Sequence, residues 1–216
     1  MALAKIIKEV RDSSGRKVNF VAGKVAFVNE GAGDYEGKVV NLSFALETYN
    51  KNDRSIQKSY LSVAFWNNEN SALADNVRKG KLRPGSFCIV KCGELRGATP
   101  TASGIPRYDA TGFQYSYSGF NLGEETLLCG VARQVNSPDG DTMRFSLPIK
   151  WGRDADTVWH SVTLKGKLAS RAVNAGVEAG TPICVLAGPV TKTEKNGKTY
   201  HDVLAKDFVM GYKDEN

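Results

Sequence analysis

The sequence predicts an all-β protein made of two five-stranded barrels in tandem, each with a short helix between its third and fourth strands. Three observations predict it. Apolar and polar residues alternate through most of the chain, the period of strands with one buried face. Each half offers only one good helical stretch. The order strand, strand, strand, helix, strand, strand occurs twice at a spacing of roughly 100 residues, the length of a small domain. A β-sandwich or another α+β arrangement fits the alternation alone, so the position of the helix carries the distinction.

In the first half the alternation places strands near 18–29, 38–49, 58–66, 86–96 and 112–121. The helix falls at about 68–79, with Asn67 or Asn68 as its cap and Gly80 as its stop. In the second half strands fall near 126–136, 141–151, 157–165, 181–193 and 198–210, with a helix at 166–177. The step Gly180-Thr181-Pro182 before the fourth strand resembles Arg83-Pro84-Gly85-Ser86 at the same place in the first half. The repeat is one of pattern, not of letters. It divides the chain into a first domain at 1–121 and a second at 122–216. Five strands with a helix between the third and fourth is the oligonucleotide-binding (OB) arrangement, and closing such a sheet removes most exposed edges.

Composition narrows the function. The net charge is +6, and it is uneven: residues 1–121 hold 17 Lys/Arg and 11 Asp/Glu, while residues 122–216 hold 12 of each. The first stretch also carries 14 of the 20 aromatic residues. A basic, aromatic-rich half suits a polyanion whose bases can stack. No apolar run reaches the length of a membrane span, and Lys5 and Lys8 interrupt the N-terminus, so a cytoplasmic protein with no membrane partner is expected. Cys88, Cys92, Cys129 and Cys184 form no Cys-x-x-Cys pair, and the only histidines are His160 and His201. Buried reduced thiols are expected, with no metal and no cofactor. The sequence shows no glycine-rich phosphate loop and no nucleophile–base motif, so no enzyme is expected.

Strand alternation separates the faces. In 60–66, Leu61, Val63 and Phe65 fill the barrel, and Tyr60, Ser62, Ala64 and Trp66 face out. Tyr60 and Trp66 are stacking platforms, with Tyr49 at the end of the strand before; packing of Trp66 beneath the 68–79 helix or at a subunit contact is the alternative. The loop at 51–58 supplies Lys51, Arg54 and Lys58. The long connection from Gly97 to Thr111 places Arg107 and Tyr108 to clamp a strand, or is a plain exposed loop. Lys91 and Arg96 in the first half, and Lys150, Lys192 and Lys195 in the second, are further phosphate candidates beside the bland reading as surface charges.

The second half carries a more specific signal. It reads Phe145-Ser146-Leu147, then Trp159-His160-Ser161-Val162 continuing to Gly166-Lys167-Leu168-Ala169, then Gly180-Thr181-Pro182-Ile183-Cys184-Val185 and Lys195-Asn196-Gly197-Lys198-Thr199-Tyr200. Over roughly 125–210 this resembles the bacterial single-stranded DNA-binding protein family. Phe44-Ala45-Leu46, Tyr60 to Trp66 and Arg83 to Gly93 resemble it more loosely. The resemblance implies OB barrels that bind and protect single-stranded DNA in replication, recombination or repair, with a homodimer giving four barrels. It also implies that Trp159 and Trp151 stack on bases. Lys165 stands where the family carries an aromatic and Trp66 stands in the first half, and the family's hairpin aromatic falls near Lys195, so the second barrel is expected to bind more weakly and through charge. Family members usually end in an acidic tail finishing in Pro-Phe that recruits replication and recombination proteins. This sequence stops at Met210 to Asn216, so recruitment of that kind is not expected. An OB-fold interaction or scaffold protein of a replication or DNA-transfer complex, with weak or RNA-directed binding, is the competing reading, because a fold does not fix its function.

Overall fold

The computed structural model describes residues 4–50, 55–66, 76–77, 79–98, 100–137, 141–195 and 197–211. The chain divides into two compact units, Met1–Tyr115 and Ser116–Asn216.

The first unit contains β1 (Lys5–Arg11), β2 (Lys17–Glu30), β3 (Val39–Asn50), β4 (Ser55–Trp66), β5 (Phe87–Cys92), β6 (Arg96–Ala98) and β7 (Arg107–Ser116). The strands pair in the order β1-β2-β3-β4-β7-β5, and β5 also pairs with β2. Five strands therefore close into a ring, β2-β3-β4-β7-β5, with β4 and β7 parallel. That order and that parallel contact are the OB barrel. Its core is formed by the inward set of β3 and β4, among them Leu42, Phe44, Leu61, Val63 and Phe65, all buried. Cys88 and Cys92 join it, and burial pushes both thiols up to about 12, so they stay protonated at neutral pH.

Three features of this unit depart from the sequence expectation. The N-terminal segment is a strand: β1 runs antiparallel to β2 and inserts Ile7 into the interior. The stretch 97–111 is not a plain loop. Arg96↔Asp109, Gly97↔Tyr108 and Ala98↔Arg107 pair as a hairpin, closed by the bonds Thr101 N–H to Ile105 O (3.0 Å) and Gly104 N–H to Thr101 O (2.8 Å). The strand expected at 112–121 is cut in two. The Ser116 hydroxyl accepts bonds from the backbone N–H of Ser118 (3.1 Å) and Gly119 (2.9 Å), a local competitor to the sheet that ends β7. Of the helix expected at 68–79 only Asn76, Val77 and Lys79 are among the described residues; Asn76 and Val77 are helical, Lys79 lies in a turn, and Gly80 follows at φ +65 with its N–H on Val77 O (2.9 Å).

The second unit contains β8 (Gly119–Asn121), β9 (Thr126–Val131), β10 (Arg133–Asn136), β11 (Thr142–Lys150), β12 (Thr157–Lys165), α1 (Lys167–Asn174), β13 (Pro182–Ala187), β14 (Thr191–Lys195) and β15 (Lys198–Met210). The order is β10-β11-β12-β15-β13-β9-β8, with β14 paired to β15. β9 and β10 are one strand interrupted at Ala132, so this sheet also closes on itself, with β12 and β15 parallel. The strand expected at 181–193 is two, because Gly188-Pro189-Val190 breaks it and β14 folds onto β15 as a hairpin. Helix α1 is shorter than the expected 166–177. Gly166 and Gly176, at φ +54 and +74, bound it, and it seats Ala169 and Ala172 on the core.

The two halves repeat one another at the level of single bonds. In the first, Val25 N–H donates to Ser86 O and Gly85 N–H to Val25 O, both 2.8 Å. In the second, Ala132 N–H donates to Thr181 O (2.9 Å) and Gly180 N–H to Ala132 O (2.8 Å). Each turn is braced by a hydroxyl: Ser86 Oγ accepts from Arg83 N–H (3.1 Å) and Thr181 Oγ1 from Glu178 N–H (3.0 Å). The similarity of Gly180-Thr181 to Gly85-Ser86 in sequence is therefore one tertiary clamp used twice.

Candidate nucleic-acid interface

Among the described residues of the first unit, four rings are exposed: Phe27 and Trp66 on the outer face of β2, β3 and β4, Tyr35 on the turn between β2 and β3, and Phe113 on β7. On β4, Leu61, Val63 and Phe65 are buried, while Tyr60, Ser62 and Ala64 are half-buried on the other face and Trp66 is 56% exposed. Across from them on β3 stand Ala45, Ser43 and Asn41, opposite Tyr60, Ser62 and Ala64. These short side chains leave a floor into which a flat ring fits. An open groove of about 560 Å³ runs over it, bounded by Phe27, Tyr60, Thr101 and Arg107.

Phe27 was not an expected site residue. Val25 and Phe27 are two apart, and a regular strand would send both inward. The pairing slips between Val25↔Phe44 and Phe27↔Ser43, a bulge that inserts Ala26. Val25 consequently fills the core at 1% exposure, and Phe27 turns outward at 57%. Tyr35 was missed as well. It ends the short 3-10 turn Gly33–Tyr35 between β2 and β3, and its ring meets Trp66 edge-on with centroids 6.0 Å apart. An aromatic in a Gly-rich connector is visible in the sequence, but its neighbour is not.

Cations border this face. Arg107 pairs with Tyr60, Arg96 with Asp109, and Lys58 with Glu47. Each cation has an acid beside it: Arg107 Nη2 bonds Asp109 Oδ1 at 3.1 Å in an exposed pair. Stacking rather than concentrated charge is therefore what this surface offers. Tyr108 departs from the expected clamp. It follows Arg107 on a strand, so it points the opposite way and packs against the core. Lys91 lies opposite Phe20 on β5 and does not line the groove. Lys51 and Arg54 lie outside the described residues, and for Tyr49 only the backbone is described, within β3.

The second unit has an equivalent outer face. Trp159 is 52% exposed and stands opposite Pro148. Tyr200 immediately precedes His201, the residue paired with His160, and so lies beside Trp159 on β15; it too is exposed. This is an aromatic that the expectation of a stacking-poor barrel did not include. Where the first unit has Phe27, the second has Gln134, at φ +50 and bonded to the Ser146 hydroxyl (3.1 Å). Lys165 and Lys150 are exposed at opposite ends of the β11–β12 ladder. For Lys195 only the backbone is described, paired with Lys198.

Trp151 is not with Trp159. It follows inward-facing Ile149 and lines a separate cavity of about 420 Å³ at the mouth of the second barrel. His160 and His201 pair across β12 and β15, and His201 pairs with Lys192 on β14, so the three form one row. The imidazole rings are 5.6 Å apart. His160 is 3% exposed, and its Nδ1 has no hydrogen-bond partner. Burial, followed by the nearby His201, holds His160 below the ordinary imidazole range, and a backbone contact with Val158 opposes this more weakly. The folded state thus resists a proton that the unfolded chain accepts. His160 contributes its full stability above the ordinary histidine value of about 6.5 and loses it as pH falls below that. Thermal melts are expected to drop between about pH 7.5 and 5.5, and to drop less in His160→Leu.

Among the described residues no group of three His, Cys, Asp or Glu side chains is placed to hold a metal ion, and no helix is long and apolar enough to cross a membrane. No family model and no curated protein matches the sequence. Among solved structures, the single-stranded DNA binding protein from Thermus aquaticus is similar in a deletion-mutant form, at 12% identity over 100% of this chain and 93% of that chain with a TM-score of 0.31. Its wild-type form is similar at 14% identity over 97% and 96%, also with a TM-score of 0.31. A likeness this distant decides nothing by itself; the barrel assignment rests on ring closure and strand register.

Proposed function

We propose that this protein binds single-stranded DNA with little sequence preference, by stacking bases on the outer faces of its barrels. The observation that carries the reading is the groove lined by exposed Phe27, half-buried Tyr60, Ser43, Ser62, Ala64, Arg107 and Asp109, on the same outer face that carries the exposed Trp66 with Tyr35 against it. Solubility disfavours such rings on a surface. A base stacked on an aromatic gains about 1–3 kcal/mol whatever its identity. Phosphate contacts add affinity without reading sequence. The second barrel, with Trp159 and Tyr200, is a further binding face of the same kind. The chemistry is binding, not catalysis.

Titration of the intrinsic fluorescence with oligo-dT at low salt tests the reading. Saturable quenching is expected, and its absence rejects the proposal. Because acids lie beside Arg107 and Lys58, the salt dependence is expected to be modest. Three phosphate contacts would give a slope of log K against log salt of about −2, and removing Arg107 would reduce it by about 0.7. A slope near zero with tight binding would mean that the cations do not touch phosphate.

Protection of unpaired strands in replication, recombination or repair belongs to the same proposal, as does a homodimer presenting four barrels. The mass in solution with and without a long oligo-dT reports both oligomer and stoichiometry. Competition with RNA and with duplex DNA separates this reading from an RNA-directed scaffold.

A further inference from the structure

We propose that the groove of the first barrel holds one base position that prefers a base carrying an exocyclic amine over thymine or uracil, read by the carboxylate of Asp109. The inference rests on the reading of this face as a single-strand surface, and adds a preference at one position to an otherwise tolerant track. Asp109 is the only acid among the described residues that line the groove. Register fixes its place. Phe27 pairs with Ser43, Ser43 with Ser62, and Ser62 with Asp109, so these side chains form one row across the outer face. Tyr60 and Arg107 pair in the adjoining row. The floor beside Asp109 is thus made of short hydroxyl side chains, and a base can lie low against the carboxylate.

A carboxylate accepts hydrogen bonds and donates none. The Arg107 guanidinium holds Asp109 Oδ1 at 3.1 Å, and among the described residues Oδ2 has no partner. Both side chains are open to solvent, so a ligand reaches them. Like charge keeps phosphate away from this part of the floor, which leaves it to a base edge. Cytosine and adenine each carry an exocyclic amine beside an unprotonated ring nitrogen. Asp109 accepts from the amine, as acidic side chains do from the cytosine amine in duplex grooves, and the Ser62 hydroxyl donates to the ring nitrogen. Guanine offers its amine and the adjacent ring N–H, both donors to the carboxylate. Thymine and uracil put a carbonyl where the amine of cytosine stands. Two acceptors then face each other with no proton between them, and bonds to water are lost without replacement. Asn29 and Asn41 also line the groove, but an amide carries both donor and acceptor and suits any base. Asp109 only accepts, so the preference is its own.

Oligo-dC and oligo-dU are the probes, because their bases present rings of one size for stacking and differ only in the amine, the carbonyl that replaces it and the adjacent ring nitrogen. Labelled oligomers of about 8 nucleotides, within the span of one barrel, are titrated by fluorescence anisotropy. The full chain carries Trp159→Ala to weaken the second face. Oligo-dC is expected to bind about fivefold tighter than oligo-dU, the low end for one base-edge pair because the site is open to water. The ratio is expected to hold as salt rises, since both oligomers carry the same phosphates. Asp109→Ala is expected to remove the preference. Asp109→Asn is expected to remove it too, because the amide donates to a carbonyl as readily as it accepts from an amine. Both variants release Arg107 for phosphate and so strengthen the two oligomers alike; the ratio alone reports base reading. Equal binding of the two oligomers by the parent, or a preference for oligo-dC that both variants keep, overturns the assignment and leaves strand binding standing. No binding of either oligomer rejects the strand-binding reading and this one with it.

Discussion

Trp66→Ala is expected to weaken binding of oligo-dT about 5- to 150-fold, the range spanned by losing one stacked base. The indole ends β4 beyond the buried Phe65, it is more than half exposed, and Tyr35 buttresses it edge-on. Truncation removes the platform without opening a cavity in the barrel, so the melting temperature should change little. Trp159→Ala is expected to cost less, because its face has Tyr200 beside it but Gln134 and Lys165 in place of Phe27 and Trp66. Trp151→Ala is expected to cost least, since that ring lines the barrel mouth and not the outer face. Fluorescence titrations, or fluorescence anisotropy of a labelled oligonucleotide where a tryptophan reporter is lost, give the three values. Equal losses at Trp66 and Trp151 would reject the division between an outer stacking face and an inner pocket.

Gly119→Ala is expected to destabilise the second unit by about 1–3 kcal/mol, the usual cost of forcing atoms into a filled space. Gly119 stands opposite Leu128 in the β8–β9 pair, at φ +128. A Cβ added there would lie 1.8 Å from the Leu127 carbonyl oxygen, which is backbone and cannot rotate away. Either β8 separates from β9 or the strand bends. For a unit of about 100 residues the loss corresponds to a fall in melting temperature of roughly 4–24 °C, and urea unfolding gives the free energy directly. A melt unchanged from the parent would mean that β8 contributes no stability.

How much of the site was legible follows from what each residue depends on. Tyr60 and Trp66 could be placed outside because β4 alternates without interruption, and inward Leu61, Val63 and Phe65 set the phase. Phe27 could not, because a single inserted residue reverses the phase and Ala26 looks like any other strand alanine. Arg107 lines the groove, but Tyr108, expected beside it, packs against the core once the segment becomes a strand, where neighbours face opposite ways. Tyr200 needed the parallel β12–β15 register to stand beside Trp159.

The sequence by itself determined the all-β class, the twofold repeat, the helix between third and fourth strands of the second half, and the inward sets of most strands. These depend on periodicity within a few consecutive residues, where side-chain direction follows from backbone geometry alone. Only the tertiary structure decided which strands close the rings, where bulges reverse a face, and that Trp151 and Trp159 lie on different surfaces. Those outcomes arise from pairing between residues far apart in the chain, and no local pattern encodes the register of a partner strand.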